Sequence, residues 1–175
     1  MALDSGGSRT GLQTLLGRLV GELESAMRLA LSLDQSSYGR SDDGQGGIGA
    51  HIRHDLNFVE CVLKGIETGI VDYATRERDE RIETDPAFAA SRIEDVIATL
   101  KSLNVDPRTV LFVVSEIDAS LSHRSTVSRE LEFVLSHTIH HHAIIKQKLR
   151  DTASNIDPAF GVAPSTLEYW RQAGR

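Results

Sequence analysis

Four of the seven histidines in this 175-residue chain fall within six positions, in the stretch Leu135-Ser136-His137-Thr138-Ile139-His140-His141-His142-Ala143-Ile144-Ile145. The flanking residues, from Ser128 to Leu149, lack Gly and Pro and carry apolar side chains at helical spacing, so the cluster sits inside a helix. There His137 and His141 lie one turn apart on one face, with Cβ atoms about 5 to 6 Å apart, a separation at which two imidazoles reach one divalent cation. His140 and His142 project about 100° away from that face and read as surface or supporting residues.

A second group stands far upstream, in Ile48-Gly49-Ala50-His51-Ile52-Arg53-His54-Asp55. His51 and His54, three apart on a helix, share a face, and Asp55 follows His51 by one turn. If this helix neighbours the one carrying His137 and His141, either histidine supplies a third imidazole and completes a facial triad. Three neutral imidazoles leave a coordination position open, as in catalytic rather than closed structural zinc sites. Water in that position has its pKa lowered to about 7, or the position takes a thiolate or a carbonyl oxygen. A carboxylate to orient ligands or move protons is the remaining need. Glu130, two turns before His137 on the same stripe, and Asp55 are the catalytic candidates.

The elements that must position these groups follow from apolar periodicity. Leu12, Leu15, Leu16, Leu19, Val20, Leu23, Met27, Ala30 and Leu31 recur at three- and four-residue steps and predict a first long helix from Thr10 to Leu33, after a loose, small and polar tail over residues 1–9. Residues 35–47, rich in Ser, Asp and Gly, read as a loop, and residues 48–69 as the second helix. The mixed-charge run Asp72 to Arg81 reads as a solvated connector with local ion pairs. Asp85-Pro86 caps a third helix that ends before Asn104. Val110-Leu111-Phe112-Val113-Val114 is the one β-like run, and Ser120 to Arg124 pairs with it as a small hairpin. Ser125 or Thr126 then caps the fourth long helix, which runs through the histidines to about Thr152, and a short helix from Leu167 to Gln172 closes the chain. Residues 10–175 thus read as a single all-α domain, a four-helix bundle with a minor β-hairpin before the last long helix.

Composition bounds the function. A hydrophobic fraction of 40% is enough for a real core. A net charge of -6 with no basic patch argues against nucleic acid as partner. No stretch approaches the ~20 apolar residues of a membrane span, and Met1-Ala2-Leu3-Asp4 opens no basic, then apolar leader, so a cytoplasmic protein is expected. The one cysteine, Cys61, forms no internal disulfide and reads as a small buried apolar residue.

The His51 segment, His137-Thr138-Ile139-His140-His141, and the closing Phe160-Gly161-Val162-Ala163-Pro164-Ser165-Thr166 together resemble the DinB-like superfamily of metalloenzymes. The resemblance spans roughly residues 10 to 172 and rests on those three motifs. It implies a four-helix bundle with non-sequential helix order, a divalent metal such as zinc or nickel held by His51, His137 and His141, and a homodimer. Some members resemble thiol S-transferases that use low-molecular-weight thiols; others resemble isomerases or hydrolases. The chain departs from the family where His142-Ala143-Ile144 replaces an Arg-Gly-Gln, which leaves that arginine's role unfilled. The functional expectation is a metal-dependent enzyme activating a small thiol or water against a small-molecule substrate. The competing expectation is a non-catalytic bundle whose histidines or metal stabilise the fold or a dimer. A carboxylate-bridged di-iron bundle is set aside, because the chain holds no Glu-x-x-His.

Overall fold

Leu12, Leu16, Leu19, Leu23, Ala26 and Ala30 form one solvent-free stripe along helix α1 (Ser5–Ser32) in the computed structural model of the chain. Residues 5–41, 44, 46–150 and 156–174 are described, with side chains from Thr10 onward. Helix α1 reaches back to Ser5, so residues 5–9 of the expected tail are helical; the first four residues lie outside the described ones. Leu31 is 58% exposed, because it lies off the buried stripe.

Three more long helices follow: α3 (Ile48–Thr68), α5 (Pro86–Ser102) and α6 (Val127–Lys148), with short helices α2 (Gln35–Gly39), α4 (Glu80–Thr84) and α7 (Pro164–Gln172) between and after them. Helix α1 packs against α5 and α6, and α3 packs against α6 and α5. Each interface buries aliphatic residues of α3 (Ile52, Leu56, Val59, Val62), α5 (Ile93, Val96, Leu100) or α6 (Leu131, Val134, Ile145). The chain is therefore mostly helical, with one small sheet. Among the described residues no helix is long and apolar enough to cross a membrane.

Capping explains most boundaries. Asp85 accepts hydrogen bonds from the backbone N–H groups of Ala87 and Phe88, and Pro86 occupies the first turn of α5. Thr126 caps α6 by accepting from Arg129 N, with Glu130 in the first turn and Lys146 and Lys148 in the last, as the helix dipole favours. The helix ends at Lys148; the continuation expected to Thr152 falls partly outside the described residues. Two short helices interrupt stretches expected to be loop or connector. Asp34 caps α2, whose Tyr38 is fully buried and donates its hydroxyl hydrogen to Ile82 O of α4 at 2.8 Å. That bond pins the chain ahead of α3. At Gly49 a Cβ would meet Glu83 O at 2.2 Å, so only glycine lets the start of α3 approach α4 this closely.

The expected hairpin is present as β2 (Val110–Val114) and β3 (Ser122–Thr126), paired antiparallel with Phe112 opposite Arg124. An unanticipated strand, β1 (Ile70–Val71), joins the other edge of β2 in parallel, giving the order β1-β2-β3. A two-residue strand leaves no periodic signal, and its pairing with β2 brings together residues 42 positions apart, Ile70 with Phe112 and Val71 with Val113. The connector after β1 carries Tyr73 inward, fully beneath the hairpin, although the run around it is charged.

Candidate metal centre

The packing of α3 on α6 brings four imidazoles together. His137 Nε2 lies 2.9 Å from His54 Nε2, and His141 Nδ1 lies 2.8 Å from His51 Nδ1. Ring centroids of His54, His137 and His141 are 4.6 to 5.0 Å apart. One nitrogen from each of His54, His137 and His141 falls within 4.8 Å of the other two, close enough for all three to reach one ion. The third member of this group is thus His54, the alternative to His51. His51, more buried than the other three, contacts His141 from behind.

The donor set suits a divalent cation. Burial first, and then the charge of neighbouring histidines and of Arg76 and Arg53, lowers the pKa of His54 to about 4. Burial, His140 and Arg76 lower that of His137 to about 4, and burial with the adjoining histidines lowers that of His141 to about 3. At neutral pH all three rings are uncharged and carry a lone pair, the state that ligates a metal. Each ring is half-buried, so the group is open to solvent on one side.

Aromatic rings close the other side. Phe58 stacks on His137 at 4.1 Å and on Tyr73 at 4.9 Å, and Phe133 lies 5.8 Å from His137. Tyr73 and Phe133 also line a cleft of about 650 Å³ between the hairpin and α6, shared with Val113, Arg129 and Glu130. The volume is that of a small-molecule pocket.

The two catalytic candidates stand elsewhere. Glu130 is buried at the floor of the cleft, where its carboxylate accepts the hydroxyl hydrogens of Tyr73, at 2.7 Å, and Ser125. Burial and this carboxylate push the Tyr73 hydroxyl far above its ordinary pKa. Asp55 is buried in the core, and burial together with the charge of Glu22 raises its pKa well above the carboxylate range. Neither residue belongs to the three-histidine group. Cys61 is half-buried, and burial pushes its thiol up despite Arg76, so it is no activated nucleophile.

His142, expected at the surface or in support of the ligands, is fully buried instead. Its Nδ1 lies 2.8 Å from Glu22 Oε2 on α1, its Nε2 lies 3.8 Å from Asp55 Oδ2 on α3, and its ring stacks on Phe160 at 4.3 Å. A helix rotates about 100° per residue, and one step past His141 points into the core between α1 and α3. Gly161, at φ +69, lets the turn carrying Phe160 lie against α6, where a Cβ would meet Ala143 N at 2.4 Å. His140 is exposed, as expected, and His123 sits exposed on β3. Arg76 and the ring wall of Phe58, Tyr73 and Phe133 were not anticipated as parts of the site. The arginine was concealed in a charged run, and the aromatics look like ordinary core.

No protein-family model matches the chain, and no solved structure matches it. Over 105 residues it is 33% identical to FK506-binding protein 5 of Rhizopus delemar. The match covers 57% of this chain and 27% of that protein, so the chain spans about a quarter of that relative's length.

Proposed function

We propose that the chain is a metal-dependent enzyme of the DinB-like type, in which His54, His137 and His141 hold one divalent ion, zinc or nickel. The observation that carries this reading is the convergence of three neutral, half-buried imidazoles from α3 and α6 within 4.8 Å. Bound there, the ion would activate a small thiol or water for S-transfer or hydrolysis on a small molecule. His51 has the position of a residue that fixes the His141 ring through Nδ1, which leaves Nε2 of His141 for the metal. Phe58 and Phe133 shield His137 from water on the side away from solvent, and the adjoining cleft offers room for the substrate body. A four-helix bundle in non-sequential order, a low-molecular-weight thiol as co-substrate, a homodimer and the cytoplasm complete this reading.

One observation favours the non-catalytic alternative. His51 stands 2.8 Å from His141, and a turn of its ring toward the other three would add a fourth imidazole and close the shell as in structural sites. The two readings separate in a turnover assay. Protein loaded with zinc or nickel is offered thiols with electrophiles, and separately ester and amide substrates. FK506 joins the binding screen on the strength of the relative's name. Turnover abolished by chelation and restored by metal supports the enzyme; a metal-loaded protein whose ion exchanges no ligand with added thiol supports the structural site.

A further inference from the structure

The charged connector between β1 and α4 places one residue at the histidines. Arg76 holds its guanidinium carbon 4.8 Å from the centroid of Phe58, the ring that stacks on His137 and touches His54 at 4.6 Å. Its charge reaches both imidazoles and the Cys61 thiol. The other arginine beside the cluster, Arg53, is engaged by Glu83 at 3.0 Å. Each arginine has one buried nitrogen without a hydrogen bond of good geometry, Nε of Arg53 and Nη1 of Arg76, but Arg76 also has no ion pair to a carboxylate among the described residues.

Arg76 is half-buried as a residue, and its one sealed nitrogen with nothing to donate to is a costly arrangement that calls for an explanation. The nearest groups make the cost larger. Three histidines cannot serve as its counter-ion, and Phe58 offers only a ring face. An incoming anion removes the penalty, since a carboxylate accepts two parallel N–H bonds from the planar fork of an arginine. Phe58 is the link to the histidine group: Arg76 lies against one ring that itself contacts His137 and His54.

From these contacts we infer that Arg76 is the anion-recognition residue of the site, and that the ligand is a small molecule carrying a carboxylate next to its metal-binding atom. The inference rests on the metal reading above and adds the class of ligand.

The test uses the whole 175-residue chain, untagged and loaded with cobalt(II), whose thiolate charge-transfer absorption reports a thiol entering the coordination shell. Mercaptoacetate, a thiol with a carboxylate, is titrated beside 2-mercaptoethanol, which lacks one. The parent should bind mercaptoacetate roughly 10- to 100-fold more tightly, the range of a hydrogen-bonded charge pair. Arg76→Gln should erase this preference while leaving cobalt affinity and 2-mercaptoethanol binding as they are. Arg76→Lys, which keeps the charge without the fork, should retain part of it and carries the test if the glutamine variant loses its helical circular dichroism. Equal binding of the two thiols by the parent, or a preference that survives in both variants, overturns the role of Arg76 while the metal site stands. Failure of the parent to take up cobalt overturns the metal reading, and the inference with it.

Discussion

His141 and His142 are neighbours in sequence and opposite in circumstance. His141 is half-exposed and surrounded by His51, His54 and His137, and among the described residues no ion pair joins it to a carboxylate. His142 is fully buried between Glu22 and Asp55 and covered by Phe160. The His142 ring shares a hydrogen bond with Glu22 through Nδ1 and stands 3.8 Å from the Asp55 carboxyl group through Nε2, so it ties α6 to α1 and lies against α3. Imidazoles among imidazoles disfavour each other's protonation and present lone pairs toward a shared space, an arrangement completed by a cation from outside. Residue type is the same in both places; the partners separate a fastening from a site.

The largest effect should come from removing the fastening. His142→Ala leaves the Glu22 carboxylate without its partner and opens a void beneath Phe160, and is expected to cost about 3 kcal/mol or more, read from urea unfolding. An equal stability for this variant would erase the distinction between the two histidines.

Within the cluster, His54→Ala and His51→Ala should differ. Loss of a ligand is expected to weaken zinc binding by more than about 100-fold, whereas loss of the residue behind His141 should weaken it by about 10- to 100-fold, measured by competition with a chelating dye. The reverse order would return the ligand role to His51.

Acid should act on the three-histidine cluster. The folded-state pKa values of His54, His137 and His141, about 4, 4 and 3, lie below the ordinary 6.5, so below pH 6.5 the unfolded chain binds more protons than the folded one. Their contribution to the stability of metal-free protein is therefore complete above about pH 6.5 and is lost as pH falls toward 4 and 3. Asp55, with its raised pKa, acts in the opposite direction, since its protonated form is favoured by folding. Asp55→Asn should thus leave the acid limb in place, while His54→Ala should make it shallower in pH-dependent unfolding.

The smallest effect is expected at the hairpin. Tyr73→Phe removes one hydrogen bond to Glu130 and should cost about 1 kcal/mol, with zinc affinity unchanged in the same competition assay.

The long helices were legible because each buries a stripe with a 3.6-residue period, and two of them, α5 and α6, begin at a recognisable cap in Asp85-Pro86 and Thr126. The histidines of α6 were legible for the same reason: a helix fixes which residues share a face. What periodicity does not encode is the rotation of one helix against another. It left open whether His51 or His54 faces α6, and it gave no hint that His142 turns toward Glu22 a full 120 residues away. Strand β1 is too short to show a pattern and exists through its pairing with β2. Arg76 and Tyr73 sit in a run whose composition says solvent, yet Phe58 and Glu130 draw them inward.

The most direct test of the account is the metal content of the chain purified without a histidine tag or a metal column, beside a His137→Ala/His141→Ala double variant. About one divalent ion per parent chain, and almost none in a variant that keeps its helical circular dichroism, is the expected result. A parent that carries no metal and gains no thermal stability from added zinc, nickel or manganese would contradict it, and the four imidazoles would then be a structural contact between α3 and α6.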